Sequence, residues 1–376
     1  MKRKNLLIFA SLSLLFLGAC RPDVTDTETS EEPSEEVEED ESTAVSRNQL
    51  GDSYYRPALD EEGHYLTSQN RGITLNLNSG INLNLFEKDL IRLSQEQYPT
   101  SEYFIQEGQY LPENLVRSWI GRKSEENPEG LNPAEEGEGD DRVPRYLNSI
   151  LELDFFKESE AGLDLAGISI GLALNTVDYY PAYQFGPTLE QEIGEGEMLE
   201  EGKNIANEIV RRIREIEGLE EMPVMISLYK QAPKDDLAGG VHVARGNSNS
   251  GSTVIDGWEE IKEERKIYPL AGQSSAEGNA FANFQSEVEA FFPNISGITG
   301  RAHYINERLD SLTINIMTQF YGETEMISYT QYLKQSAATY LPADLAIEIV
   351  VESSAGVEAF LEKGPADAEF YSHVFD

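Results

Sequence analysis

A chain of 376 residues with 29 Lys+Arg against 68 Asp+Glu has a formal charge of −39. That balance excludes nucleic acid as a partner, since phosphate binding needs clustered cations, and it opposes broad adhesion to an anionic membrane. A single cysteine excludes an intramolecular disulfide framework, while 39% hydrophobic residues are compatible with a packed core.

The chain opens with a cationic head, Lys2, Arg3 and Lys4, and then nothing charged from Leu6 through Leu17. Twelve helical residues reach about 18 Å, whereas a bilayer core needs roughly 30 Å. Residues 1–19 therefore read as a secretory signal peptide, not a permanent span. Leu17-Gly18-Ala19-Cys20 has the form of a lipobox, with cleavage between Ala19 and Cys20 and acylation of the Cys20 thiol. The plainer reading is an ordinary leader whose cut lies near a cysteine; that Cys20 is the sole cysteine favours the lipobox. Its position also leaves the folded part without a thiolate nucleophile. Residues 20–50 read as a lipid-anchored, disordered acidic linker. From Arg21 to Leu50 there are eleven Asp or Glu, two prolines and no aromatic residue, too little apolar surface to offset ordering. The implied partners are the membrane, through a diacylglyceryl cysteine, and the lipoprotein-processing enzymes. Two acyl chains hold far better than one.

Composition turns globular from Tyr54-Tyr55-Arg56-Pro57, so residues 51–376 read as the folded domain. Ile73, Leu75 and Leu77 alternate as a half-buried strand, and Asn84 with Glu87 resembles a capping box before Phe86, Leu90 and Leu93. Residues 124–141 read as a long exposed loop. Ile168, Ile170, Leu172 and Leu174 predict a strand, as do Val224, Ile226 and Leu228. Between them Ile205, Ile209, Ile213 and Ile216 line a helix stopping at Gly218, with Arg211, Arg212 and Arg214 on a solvated face. Phe281, Phe284, Val288 and Phe291 predict a helix up to Pro293. Leu312, Ile314 and Ile316 then predict a strand, and Met326, Tyr329, Leu333, Ala337 and Tyr340 a helix. Leu345 to Val351 predict another strand, with one or two more at the C-terminus. The irregular interleaving favours α+β with mainly antiparallel sheet and packed helices. A candidate sub-boundary lies near 186–202.

Few motifs point to chemistry. Gly167-Ile168-Ser169-Ile170-Gly171 matches the GxSxG elbow, but alternation continues through Ser169 without a following helix, so a plain strand is expected. Ser227-Leu228-Tyr229-Lys230 matches SxxK, yet on a strand residues three apart point to opposite sides. His64, His242, His303 and His373 are scattered, and no HExxH, EF-hand, GxGxxG or Walker pattern is present, so neither metal nor cofactor is expected. Arg301-Ala302-His303-Tyr304 crowds cationic, imidazole and aromatic groups together. Arg301, His303 and Tyr304 are the candidate lining of a pocket for an anion or a peptidoglycan fragment.

These stretches resemble the CamS family of sex pheromone precursor lipoproteins of Gram-positive bacteria. The likeness rests on Tyr54–Pro57, Arg71–Asn78, Glu107–Leu111, Gly121–Ser124, Asn127-Pro128, Gly130–Pro133 and the block from Thr299 through Gln335. The resemblance implies that the last residues of the cleaved leader are trimmed and exported as an apolar signalling peptide. A plasmid-encoded pheromone receptor in neighbouring cells senses it, prompting conjugative transfer. Here that segment is Ser13-Leu14-Leu15-Phe16-Leu17-Gly18-Ala19. Ser13, Leu14 and Gly18 depart from the family's pheromone, and every lipoprotein leader ends in such an apolar stretch. The expectation is thus a non-enzymatic, lipid-anchored lipoprotein on the outer face of the cell membrane, its leader peptide extracellular. The alternative is a lipid-anchored binding protein for peptide or cell-wall fragments.

Overall fold

The computed structural model describes residues 50–376 except 75–76, 138, 161, 271–274, 292–294, 320–321 and 376. The leader, the lipobox with Cys20 and the linker up to residue 49 lie outside the described residues.

The described chain begins with a two-residue β1 (Arg56–Pro57), a short α1 (Arg71–Thr74) and α2 (Gly80–Ser94). β2 (Phe104–Glu107), α3 (Glu113–Ile120) and a long hairpin follow, β3 (Leu147–Ser159) and β4 (Gly162–Leu174). A small hairpin, β5 (Val177–Pro181) and β6 (Thr188–Glu192), leads into α4 (Glu195–Ile213), then β7 (Val224–Lys230), β8 (Val241–Ser248) and β9 (Trp258–Glu260). These strands, without the small hairpin, form a seven-stranded sheet in the order β1-β2-β3-β4-β7-β8-β9. β1/β2 and β4/β7 are parallel and the other pairs antiparallel. The parallel step from β4 to β7 needs a crossover, and α4 supplies it.

Both faces of the central strands are covered. Ile168, Ile170, Leu172 and Leu174 of β4 and Val224, Ile226 and Leu228 of β7 share a core cluster with Ile205, Ile209 and Ile213 of α4. On the opposite face, Phe86 of α2 packs with Ala173 and Tyr229, and Leu90 with Met225. There β4 offers glycine: a Cβ on Gly171 would stand 2.7 Å from the Phe86 ring. Such small residues let the helix approach the strand closely.

The second half holds β10 (Glu263–Tyr268), α5 (Ala276–Phe291), β11 (Ile295–Ile305), β12 (Arg308–Thr318) and α6 (Glu323–Tyr340). β13 (Ala346–Ser353), β14 (Gly356–Lys363) and β15 (Tyr371–Val374) complete it. They form a six-stranded sheet in sequence order, antiparallel except for β12 beside β13. Here α5 and α6 bring Phe281, Phe284, Tyr329 and Leu333 onto Leu312, Ile314, Ile347 and Ile349. The whole is α+β with mixed, mainly antiparallel sheets.

Several elements depart from the sequence reading. Ile73 is fully buried, but in the short helix α1 and not in a strand. The cap of α2 is Ser79, whose hydroxyl accepts from Asn82 N at 3.2 Å, a turn before the expected box at Asn84 and Glu87. Serine at that site satisfies a helix-start N–H, which Asn84 inside the helix is not placed to do. Arg214 is not solvated: it is buried and donates to Leu219 O, Met222 O and Ser248 Oγ, tying the end of α4 to the chain before β7 and to β8. The segment 124–141 is pinned by buried Asn132, which donates to Ile120 O and Leu147 O and accepts from Tyr146 N and Leu147 N. The change of sheet falls between Glu260 and Glu263; residues 186–202 hold β6 and the start of α4.

Candidate functional site

The lipobox and the peptide segment Ser13–Ala19 lie outside the described residues, so the structure bears on the folded part. Strand β11 carries Arg301, His303 and Tyr304, and its pleat divides them. His303 pairs with Arg265 of β10 and sends Nε2 to Glu263 Oε2 at 2.9 Å. Tyr304 points to the other face, where its hydroxyl bonds that of Tyr268 within the α5/α6 core. The three residues do not line one pocket, because strand neighbours alternate faces.

What His303 joins is a buried ionic seam between the two halves. Arg92 of α2 donates Nη2 to both Glu263 oxygens at 2.8 and 2.9 Å. Asp89, one turn earlier, takes Arg265 Nη2 at 2.6 Å, and Arg265 Nη1 reaches Gly240 O at 2.6 Å. The side chains of Arg265 and Asp89 are each only 4% exposed. Burial alone would raise the Asp89 carboxyl, yet the guanidiniums of Arg265 and Arg92 outweigh it and hold it below the ordinary range. Glu263 is likewise held low: His303 and Arg92 overcome its burial. Beside this seam opens a cleft of about 430 Å³, whose lining includes Lys230 and Glu195 together with the buried seam residues Glu263 and Arg265. It is large enough for a short peptide or a sugar fragment. The readable signal was modest, opposite charges at Asp89 and Arg92 beside the apolar Phe86, Leu90 and Leu93 of α2. Nothing local announced their partners about 175 residues away.

The two serine motifs are structural. Ser169 sits on a straight, fully buried stretch of β4, its hydroxyl 2.8 Å from that of Ser94 on α2. Ser227 lies on β7, also fully buried, with Oγ 2.6 Å from His242 Nδ1. His242 Nε2 is 3.2 Å from Phe86 O, which only accepts, so Nε2 carries the proton and Nδ1 accepts from Ser227. Burial pushes the His242 imidazole down to about 4, so it stays neutral. This serine–histidine contact is fully buried between the sheet and α2. Elsewhere Asp60, Glu62 and His64 gather on an exposed turn, where Asp60 Oδ1 accepts from the Glu62 and His64 N–H groups.

No helix among the described residues is long and apolar enough to cross a membrane. Fold and site thus define an α+β protein of two linked sheets, held by a buried ionic seam beside an open cleft. The chain belongs to the CamS sex pheromone cAM373 precursor family, whose model matches residues 65–369. It is similar to the crystal structure of the sex pheromone precursor from Lactobacillus salivarius subsp. salivarius UCC118. Identity is 37% and the TM-score 0.83, over 88% of this chain and 98% of that one. It is also similar to the C-terminal domain of the sex pheromone staph-cAM373 precursor from Staphylococcus aureus. There identity is 27% and the TM-score 0.69, over 80% of this chain and 98% of that one. A search of curated proteins finds no match.

Proposed function

We propose that this chain is a lipid-anchored precursor with two products. Signal peptidase cuts between Ala19 and Cys20, a diacylglyceryl group on Cys20 holds the folded domain at the outer face of the cell membrane, and the leader is trimmed to Ser13–Ala19. That uncharged heptapeptide partitions through membranes and fits an apolar receptor pocket, which suits a signal for conjugative plasmid transfer. The observation that carries this reading is Leu17-Gly18-Ala19-Cys20, the site of the only cysteine, behind a basic and apolar leader in a pheromone-precursor family member. The folded domain acts without catalysis; the burial of both Ser169 and Ser227 supports that. Mass spectrometry of culture supernatant tests the leader's role: the Ser13–Ala19 peptide is expected from wild type and lost in Cys20→Ala. Its absence from actively exporting wild-type cells overturns the reading.

A second reading rests on the cleft beside the ionic seam. Its volume and its mixed lining of carboxylates, Lys230 and Arg265 suit an extracytoplasmic binding protein for peptide or cell-wall fragments. Ligand-dependent melting of the full chain with wall-derived muropeptides checks it, and an unchanged melting temperature across them counts against it.

A further inference from the structure

A different cavity, of about 250 Å³, opens where β2 ends, and Asn70, Leu83, Glu87, Glu107, Leu151 and Glu152 line it with Arg71. Its chemistry is lopsided. Glu152 is buried on β3 and accepts from the N–H groups of Tyr110 at 3.1 Å and Leu111 at 3.0 Å. Gly108 makes room for it, since a Cβ there would collide with the Glu152 side chain. Asp154, two residues further along β3, accepts from Gln109 N at 2.9 Å. Glu107 takes the Tyr65 hydroxyl and Ser68 N, both at 2.9 Å, and a bidentate grip from Arg71. Arg71, the Tyr65 hydroxyl and Ser68 N are thus spent on Glu107, and Ser68 with exposed Asn84 completes the lining. Asn70, 4% exposed, gives its amide N–H to Leu111 O at 2.5 Å and leaves Oδ1 buried with no hydrogen-bond partner.

A buried amide oxygen without a donor costs about 1–3 kcal/mol, so its presence in a cavity wall calls for a ligand that donates. Three carboxylates facing one guanidinium add that the donor is positively charged. A divalent metal fits poorly, because calcium gathers six to eight oxygens within about 2.6 Å. Among the described residues, the grouping close enough to grasp one ion is instead Asp60, Glu62 and His64. Leu83 and Leu151 supply an apolar wall beside the acceptors. We propose that this cavity binds a primary ammonium group on an apolar stem, a lysine-type side chain or a free amino terminus. Asn70 Oδ1 and the Glu152 carboxylate receive its N–H groups, and the two leucines pack on its stem. The site is separate from the inter-sheet cleft and independent of the leader's role.

Calorimetric titration of the full chain at pH 7.5 tests this with three probes. They are Nα-acetyl-lysine methylamide, alanyl-alanine methylamide with its free α-amine, and Nα-acetyl-norleucine methylamide, which keeps the stem and lacks the charge. At least one amine probe is expected to bind, with the norleucine probe at least about tenfold weaker. Which amine binds identifies the source, side chain or chain end. Glu152→Gln is expected to weaken the amine about tenfold or more. Because Glu152 also holds two backbone N–H groups, exposed Glu87→Gln serves as the second variant; it is expected to weaken the amine a few-fold at unchanged melting temperature. Equal binding of the norleucine probe, no binding of either amine, or calcium binding lost in Glu152→Gln would each overturn the proposal.

Discussion

The two sheets are built on different terms. In the first, α4 covers one face and α2 the other, so the last eight residues of β4 and the first six of β7 are all buried. In the second, α5 and α6 cover one face. Leu312, Ile314 and Ile316 are buried, while the alternate residues Thr313, Asn315 and Met317 are half-buried or exposed. A sheet buried on both sides cannot send its polar residues to water. Glu152, Asp154, Ser169, Ser227 and His242 are therefore lodged inside, each with an internal partner. Such groups are costly when a partner goes, because the low dielectric that strengthens a satisfied pair also penalises an orphan. The first half and its seam should thus answer to charge and pH, and the second to apolar packing.

The largest break in that contrast comes from the seam. Arg265→Ala leaves the buried Asp89 carboxylate without its main partner, and loss of about 3–5 kcal/mol is expected in urea unfolding. Glu348→Ala on the open face of the second sheet should change stability by less than about 0.5 kcal/mol. Equal costs would dissolve the distinction.

The next effect is acid-dependent. His242 is held to about 4 by burial, below its ordinary 6.5. As pH falls below 6.5 the unfolded chain takes a proton that the folded chain refuses, so stability drops until the folded pKa is reached. The loss amounts to about 3 kcal/mol between pH 7 and 4. Glu152 works the other way: burial pushes it up to about 7 from 4.5, so its contribution is lost as pH rises between those values. Opposed slopes hide one another in the wild type. His242→Gln separates them, and its stability gap to wild type should narrow by about 3 kcal/mol from pH 7 to 4, read as urea midpoints. A constant gap would mean that His242 is hydrated in the folded protein.

The same contrast explains what the sequence disclosed. Strands of the one-sided sheet alternate visibly, so Leu312–Ile316 and Leu345–Val351 were legible. β4 and β7 were found through their even-numbered apolar residues. The identity of what covers the odd-numbered face, Phe86 and Leu90 of α2, has no local trace. β3 escaped altogether, because Glu152 and Asp154 interrupt its apolar run. The seam needed pairings between α2 and β10 that periodicity cannot express. Ile73 misled because three alternating apolar residues are too few to separate a strand from one helical turn.

A third, smaller effect concerns close approach. Gly171→Ala places a methyl group 2.7 Å from the Phe86 ring, and overpacking there should cost about 1–3 kcal/mol. Gly297→Ala in β11 meets nothing within 4 Å and should be neutral or slightly stabilising.

The smallest effect is the most discriminating for function. Ser169 stands in a GxSxG frame, yet its hydroxyl has no exposure and meets Ser94, which itself reaches Leu90 O at 2.7 Å. Removing it with Ser169→Ala deletes one buried hydrogen bond while Ser94 keeps its carbonyl partner, so the expected cost is about 0.5–1.5 kcal/mol. A nucleophile would behave otherwise: a fluorophosphonate probe would label wild type and spare the variant. No labelling of either, with only a small shift in urea midpoint, is the outcome expected of a hydroxyl held between sheet and helix. Labelling of Ser169 in the folded chain would require α2 to lift from β4, and would refute both the two-sided sheet and the non-catalytic reading at once.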